Sequence, residues 1–204
     1  MTEFHYEMRM AAATGRDCQD YAEVERLSDG SLRLALADGV SGMSGGLKAA
    51  TQAVQSWIKA KSLAPELALA EADSLLSRAS HGGQTTAIYL ELTPDSLQGA
   101  SLGDSCVWFL EANGTWTELT EYQRRKPYLG SGEAVPIAFF RVPRESGRVL
   151  ICSDGLWRFM DLADIWANAF LDPLAKAADA LLNKPPYMDD VSLVLVAWGA
   201  GGLE

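Results

Sequence analysis

The chain has 204 residues, 48% of them hydrophobic, which is enough to bury a sizeable core in one domain. Its 27 acidic and 17 basic residues give a net charge of −10, and it has no basic stripe for nucleic acid or an anionic membrane surface. Its cysteines, Cys18, Cys106 and Cys152, form no CxxC pair, and its apolar runs are too short to cross a bilayer. We therefore expect a cytoplasmic protein without nucleic-acid or membrane partners.

The first part of the chain predicts strands and then two helices. Three segments, FHYEMRMAAAT, DYAEVERL and SLRLALA, show partial period-two alternation with turn residues between them. After Ala37 the apolar period becomes helical through about residue 61. Pro65 suits the first turn of a second helix, which we expect to end near Ser80.

The second part returns to strands. Strand patterns cover 84–92, 96–103 and 105–112, and a polar, irregular stretch follows from about 113 to 135. IAFFRV and GRVLICS predict two more strands, helical segments fill about 156–183, and DDVSLVLVAW predicts a final strand. This order, without a repeat or linker, predicts a single α+β domain over residues 1–204 with antiparallel pairing.

The triplet Ser-Asp-Gly occurs twice, in two different settings. In LSDGSLRL, residues 27–34, it separates two alternating segments and predicts an ordinary hairpin turn. In LICSDGLWRF, residues 150–159, it ends an apolar strand and leads into a helical segment. The second triplet therefore belongs with the other acids that stand at strand ends.

Several aspartates stand where an apolar strand meets a loop. The set consists of Asp20, Asp38, Asp104, Asp154, Asp189 and Asp190. One such acid alone is typical of a turn, but acids from sheets that pack together can converge on one edge. Clustered carboxylates repel one another unless cations hold them, and oxygen-only ligation favours Mg²⁺ or Mn²⁺.

Six short motifs occur in an order that resembles a known family. They are GRDCQDY, ADGVSG, GGQTTA, LGDS, SDGLW and DDVSLVLV, between about residues 15 and 198. The series resembles that of the metal-dependent serine/threonine protein phosphatases, the protein phosphatase 2C-like family, in the bacterial form. The resemblance implies a four-layer sandwich of two antiparallel β-sheets flanked by helices, with two Mg²⁺ or Mn²⁺ ions at one end.

The resemblance also implies a role for each acid. Asp38 would bridge the two ions, Gly39 would contribute its carbonyl, and Asp20 would act through bound water. Asp154 and Asp189 would ligate on the side of the second ion. Asp104 would help Asp154 to hold a third, weaker ion. Asp190 would support the site without ligating, and Thr85 and Thr86 would be structural.

Two features depart from the family pattern. Many members place an arginine that binds substrate phosphate before the first acid, and Arg16 stands one residue closer to Asp20 than that pattern requires. The histidine that some relatives carry after the Asp-Gly pair is absent, because Met43, Ser44 and Gly45 stand there. His81 is another histidine that could enter the site. The catalytic residues we expect are Asp38, Asp154 and Arg16.

The predicted activity is direct hydrolysis of phosphoserine or phosphothreonine in proteins. A water shared by the two ions would attack phosphorus, so no cysteine or serine nucleophile is required. The expected partners are a phosphoprotein substrate and a cognate Ser/Thr kinase. Two alternatives remain open: a catalytically inactive regulatory or binding module with the phosphatase fold, and hydrolysis of small phosphate esters.

Overall fold

The structure is a computed structural model that describes residues 2–40, 45–60, 63–80, 82–143, 145–182 and 185–199. Within these ranges the chain forms ten strands and five helices. The strands are β1 (Phe4–Ala11), β2 (Asp20–Arg26), β3 (Leu32–Asp38), β4 (Ala87–Leu92), β5 (Leu97–Leu102), β6 (Cys106–Glu111), β7 (Trp116–Glu118), β8 (Ile137–Arg141), β9 (Gly147–Cys152) and β10 (Val191–Trp198). The helices are α1 (Gly46–Lys59), α2 (Pro65–Leu76), α3 (Asp154–Trp157), α4 (Leu162–Ala169) and α5 (Leu174–Leu182).

The strands form two five-stranded antiparallel sheets. The first sheet has the order β1-β10-β9-β6-β7, and the second has the order β2-β3-β4-β5-β8. Their facing sides pack around one apolar cluster that contains Phe4, Leu34, Phe109 and Val194. Helices α1 and α2 cover the outer face of the second sheet, and α3, α4 and α5 cover the outer face of the first. The predicted four-layer α+β sandwich of two antiparallel sheets is confirmed.

Strand β3 shows how the alternation of the sequence builds these layers. Successive side chains of a strand point to opposite faces, so Leu34 and Leu36 enter the core between the sheets. Ala35 and Ala37 face α1, where small side chains let the helix lie close. Arg33, also on that side, stacks 4.6 Å from the ring centroid of Trp57. The last residue of this strand, Asp38, therefore lies at one end of the sandwich.

Some element boundaries differ from the predictions. The stretch predicted as irregular contains the short strand β7, which pairs with β6. The helical segments predicted over about 156–183 are three helices, the first of which begins at Asp154, and Pro173 stands immediately before the last. The helix predicted to end near Ser80 ends at Leu76. None of the helices in the described residues is long and apolar enough to span a membrane.

Candidate active site

Acidic residues from both sheets lie together at one end of the sandwich. Asp20 begins β2 and Asp38 ends β3, and the two residues face each other in the antiparallel register. Asp154 follows β9 and begins α3, while Asp189 and Asp190 precede β10, the neighbour of β9. The ends of four strands in two sheets thus bring together acids that are up to 170 residues apart.

Two threonines fix the backbone of Asp38. Thr86 accepts a hydrogen bond from the Asp38 amide at its Oγ1 (3.0 Å) and donates its own amide to the Asp38 carbonyl (2.8 Å). The Thr85 hydroxyl donates to the same carbonyl at 2.8 Å. Both threonines are buried, so the position of Asp38 is set by a closed hydrogen-bond network. Their expected structural role is consistent with these contacts.

Gly39 sits where only a glycine fits. A Cβ at this position would lie 2.5 Å from the carbonyl carbon of Gly46 and 2.8 Å from the carbonyl oxygen of Gln19. The Gly39 amide donates to that Gln19 carbonyl at 3.2 Å. In the described part of the chain, no hydrogen bond is donated to the carbonyl of Gly39. Among those residues nothing competes with a cation for this oxygen.

Asp190 organises the loop before β2. Its Oδ1 accepts the amide of Ala13 at 2.7 Å, and its Oδ2 accepts the amide of Gln19 at 2.6 Å. Both carboxylate oxygens are thus occupied by backbone donors. This arrangement ties the start of β10 to the residue before Asp20.

The second Ser-Asp-Gly triplet is packed against the start of β10. The Ser153 hydroxyl accepts the amide of Ser192 at 2.9 Å, and the Ser153 amide donates to the Ser192 carbonyl at 2.9 Å. A Cβ at Gly155 would lie 1.9 Å from the carbonyl oxygen of Asp190. The triplet therefore places Asp154 through contacts made by its two neighbours.

Burial and mutual repulsion raise the carboxyl pKa values at this end of the sandwich. Burial, then the charges of Asp20 and Asp154, raise the pKa of Asp38 to about 10. Burial raises the pKa of Asp20 to about 6, although nearby serine hydroxyls oppose the shift. Burial, then the charge of Asp104, raise the pKa of Asp154, and Arg158 opposes this rise. A bound cation would stabilise the charged form of all three carboxylates.

The donor groups fit hard divalent cations. Both carboxylate oxygens of Asp20 are buried without a hydrogen-bond partner of normal geometry among the described residues. Such orphaned oxygens, with the free carbonyl of Gly39, suit Mg²⁺ or Mn²⁺. In the ranges that the structure describes, no three acidic, cysteine or histidine side chains converge on one point. Ions here would keep several waters, as Mg²⁺ does when only one or two carboxylates bind it.

Asp104 pairs with an arginine that the sequence patterns did not single out. Arg158 donates from Nη2 to Asp104 Oδ2 at 2.8 Å, and its Nη1 lies 2.9 Å from Asp154 Oδ2. The Trp157 indole also donates to the Asp104 carbonyl at 2.9 Å. Asp104 and Asp154 are thus close together as expected, and the positive charge that contacts both of them is the guanidinium of Arg158.

The remaining predicted residues are less closely tied to the cluster. Arg16 lies in the exposed loop before β2, and its side chain makes no hydrogen bond or ion pair with the described residues. Asp189 is half-buried, accepts the amide of Asp190 at 3.0 Å, and contributes to the raised pKa of Asp154. Met43, Ser44 and His81 lie outside the described residues.

Asp73 is a buried acid that the sequence patterns do not single out. Asp73 of α2 accepts three backbone amides, those of Gly130 (2.6 Å), Gly132 (3.1 Å) and Ala134 (3.1 Å). The preceding residue, Leu129, exchanges two backbone hydrogen bonds with Thr85. Asp73 therefore anchors the loop that rests on the Asp38 network. No local pattern marks this role, because all of its partners lie more than fifty residues further along the chain.

Comparisons with known proteins identify similar sequences and structures. A family model described as protein phosphatase 2C matches residues 9–189. A structure of the serine/threonine phosphatase PstP/Ppp of Mycobacterium tuberculosis superposes with a TM-score of 0.83 at 20% identity, over 97% of this chain and 99% of that one. The catalytic domain of PstP in complex with 2 manganese ions gives a TM-score of 0.80 at 20% identity, over 98% and 100%.

A third solved structure, the serine/threonine phosphatase Stp1 of Staphylococcus aureus, gives a TM-score of 0.81 at 15% identity, over 98% of this chain and 96% of that one. A comparison with curated protein sequences gives no match. The likeness to the solved structures extends over the whole sandwich and establishes the fold. The family model spans nearly the entire chain, from β1 to the acid before β10, and the protein therefore belongs to the protein phosphatase 2C family.

Proposed function

We propose that this protein removes phosphate from phosphoserine and phosphothreonine in proteins, with two Mg²⁺ or Mn²⁺ ions. One observation carries the proposal: Asp20, Asp38 and Asp154 are gathered at one end of a protein phosphatase 2C sandwich, with pKa values raised by burial and repulsion. Carboxylates with pKa values perturbed in this way are concentrated at functional sites, where burial and like charges are brought together.

Each ligand role follows from the position of the residue. Asp38 lies between Asp20 and Asp154, which suits a carboxylate that bridges two ions. Gly39 would offer its carbonyl, and both buried Asp20 oxygens can accept hydrogen bonds from coordinated water. Asp189 joins Asp154 on the other side. When bound, the two ions would supply a nucleophilic water and neutralise the phosphoryl oxygens.

The residues around the ligands hold them in place. Thr85 and Thr86 fix the backbone of Asp38, and Asp190 fixes the residue before Asp20. Partners of this kind orient ligands and tune their basicity, and their loss commonly reduces metal affinity or activity by about 10–100-fold. The protein thus contributes a prearranged set of oxygens, which is the main requirement for electrostatic stabilisation of a phosphoryl transition state.

The cysteines do not offer an alternative nucleophile. Burial raises the pKa of Cys18 to about 11 and raises those of Cys106 and Cys152 further. The thiolate is the reactive form of cysteine, so these thiols are poor nucleophiles at neutral pH. Hydrolysis by an activated water is the mechanism that the side chains permit.

The surroundings of the site suit a peptide substrate. A cavity of about 290 Å³ opens beside Asp104 and is lined by aromatic and acidic side chains, among them Trp108, Trp116, Trp157, Glu118 and Glu121. It has room for a residue that flanks the phosphorylated one.

We propose that Arg16, exposed before β2, binds the substrate phosphate. A phosphoprotein made by a cognate Ser/Thr kinase in the cytoplasm would be the substrate, and residues 1–204 would act as one domain.

The proposal is tested by phosphate release from phosphoserine and phosphothreonine peptides. We expect release with Mn²⁺ or Mg²⁺ and none after EDTA. The Asp38→Asn variant removes the central charge at constant size and should be inactive under the same conditions. Release that persists after exhaustive chelation, or a fully active Asp38→Asn variant, would refute the two-ion mechanism. An aryl phosphate assayed in parallel separates a general phosphomonoesterase from an enzyme that requires a peptide.

A further inference from the structure

Asp104 and Asp154 are the two carboxylates that the family resemblance assigned to a third divalent ion. In this protein the space between them holds the side chain of Arg158. Its two terminal nitrogens contact different acids: Nη2 lies 2.8 Å from Asp104 Oδ2, and Nη1 lies 2.9 Å from Asp154 Oδ2. The guanidinium is therefore a bridge between the two acids.

The backbone places Arg158 at this point. Arg158 caps the short helix α3, and its amide donates to the Asp154 carbonyl at 3.0 Å, so the side chain lies on the same face as Asp154. The ring centroid of Trp157 lies 5.4 Å from the guanidinium carbon. Trp157 also donates to the carbonyl of Asp104. Trp157 and Arg158 thus both bind Asp104: Trp157 contacts its main-chain carbonyl, and Arg158 contacts its carboxylate.

The local chemistry does not suit a third ion. Mg²⁺ and Mn²⁺ need oxygen ligands, but a guanidinium presents five N–H donors and no acceptor. Arginine stays protonated at all working pH values, so a divalent ion beside it would meet a fixed positive charge. The side chains of Asp104 and Asp154 are only 13% and 9% exposed and that of Arg158 is 41% exposed, so solvent screens this repulsion only in part.

We propose that the Arg158 guanidinium takes the place of a third divalent ion between Asp104 and Asp154, so that the protein binds two ions and carries the third cation as a side chain. The inference rests on the proposed two-ion function. Arg158 is a positioning residue: it neutralises Asp104, holds the Asp104 loop beside the site, and leaves Asp38, Asp189 and the second carboxylate oxygen of Asp154 to the divalent ions. Millimolar metal should therefore have no separate activating effect in the wild-type protein.

The test is the number of Mn²⁺ ions bound at millimolar Mn²⁺, measured by equilibrium dialysis and elemental analysis. We expect two ions in the wild type and two in Asp104→Asn, because Asp104 serves only the arginine. Arg158→Gln should bind three, since it removes the charge at similar size. The double variant Arg158→Gln/Asp104→Asn should return to two, because the vacated site then lacks one of its carboxylates. Arg158→Lys, which keeps the charge, should stay at two.

Three ions in the wild type, falling to two in Asp104→Asn, would overturn the inference and leave the proposed function standing. Two ions in a folded Arg158→Gln would also overturn it, because the arginine would then not be what excludes the third ion. Fewer than two ions in the wild type would refute the proposed function itself, and the inference with it. Circular dichroism of each variant verifies folding, and Arg158→Lys provides a charged control at the same position.

Discussion

The two Ser-Asp-Gly triplets of this chain have the same three residues and opposite environments. Asp29 is exposed in the turn between β2 and β3, where its Oδ1 accepts the amide of Ser31 at 3.0 Å. Asp154 is 6% exposed and interacts with Asp38, Asp104 and Arg158. The hydrogen bond from Ser31 lowers the pKa of Asp29, whereas burial raises that of Asp154. Position in the fold, and not the triplet itself, gives the carboxylate its chemistry.

The glycines and serines of the triplets differ in the same way. Gly30 adopts a left-handed conformation, with φ of 86°, and a Cβ there would meet nothing within 4 Å. Gly155 has no such φ, but a Cβ would overlap the carbonyl of Asp190. Ser28 is exposed, whereas Ser153 is buried and hydrogen-bonded to β10. One triplet makes a turn, and the other joins two strands around a site.

The largest difference between the two triplets should appear in the rate of phosphate release when each aspartate is replaced. Asp154→Asn removes a ligand charge, and we expect the rate of phosphate release to fall by more than about 10²-fold, beyond the usual effect of losing a supporting residue. Asp29→Asn should retain the wild-type rate, because asparagine serves in the same turns. The measurement is initial rate at saturating Mn²⁺ on one phosphopeptide. Equal rates for the two variants would contradict the assignment of Asp154.

The next contrast lies in the glycines and is read in stability. Gly155→Ala forces a methyl group into the Asp190 carbonyl, so we expect it to destabilise the protein by at least about 3 kcal/mol. Gly30→Ala strains only a left-handed turn and should destabilise by about 1–2 kcal/mol. Urea unfolding of both variants gives the comparison. A smaller loss for Gly155→Ala than for Gly30→Ala would show that the approach of α3 to β10 is not tight.

The serines should show a smaller difference. Ser153→Ala leaves the buried amide of Ser192 without its acceptor, which we expect to destabilise the protein by about 1–3 kcal/mol. Ser28→Ala removes an exposed hydroxyl and should change stability by less than about 0.5 kcal/mol. The same urea experiment measures both. If the two serine variants unfold alike, the Ser153 contact does not anchor the second triplet.

The final contrast is in the pH dependence of stability without metal. Asp154 has a raised pKa, so the folded protein keeps a proton that the unfolded chain releases above 3.8, and stability falls as pH rises past that value. Asp29 has a lowered pKa, so its contribution to the stability of the fold is present above pH 3.8 and is lost as the pH falls. In EDTA, the unfolding temperature of Asp154→Asn should therefore fall less than that of the wild type as the pH rises from about 4 to about 7. Asp29→Asn should not show this flattening.

The sequence predicts the layers of this fold well because its alternation is strong. In β3, leucines point to one face and alanines to the other, and that pattern alone indicates a strand between two cores. The helical segments after Asp154 were predicted without the bounds of each helix, since apolar residues recur across all three helices. The strand β7 was missed because its three residues are mostly exposed and carry little pattern.

The acids proposed for the site can be picked out from the sequence because each stands at the end of an apolar strand, a feature that is local in sequence. The residues that hold them were harder to find. Arg158 acts on Asp104, which lies 54 positions away, and nothing near either residue indicates the pairing. Asp73 likewise serves a loop that only the folded chain brings to it. Contacts between distant elements have no periodic signature, so the structure is required to see them.

The central claim is that the carboxylates gathered around Asp38 bind divalent ions, and Mn²⁺ binding without substrate tests it most directly. Calorimetric titration of chelator-treated protein should give the same isotherm for the wild type and Asp29→Asn. Asp154→Asn should bind Mn²⁺ at least about tenfold more weakly, because a ligand matters no less than the groups that support it. Superimposable isotherms for all three proteins, or no Mn²⁺ binding by the wild type, would contradict the account.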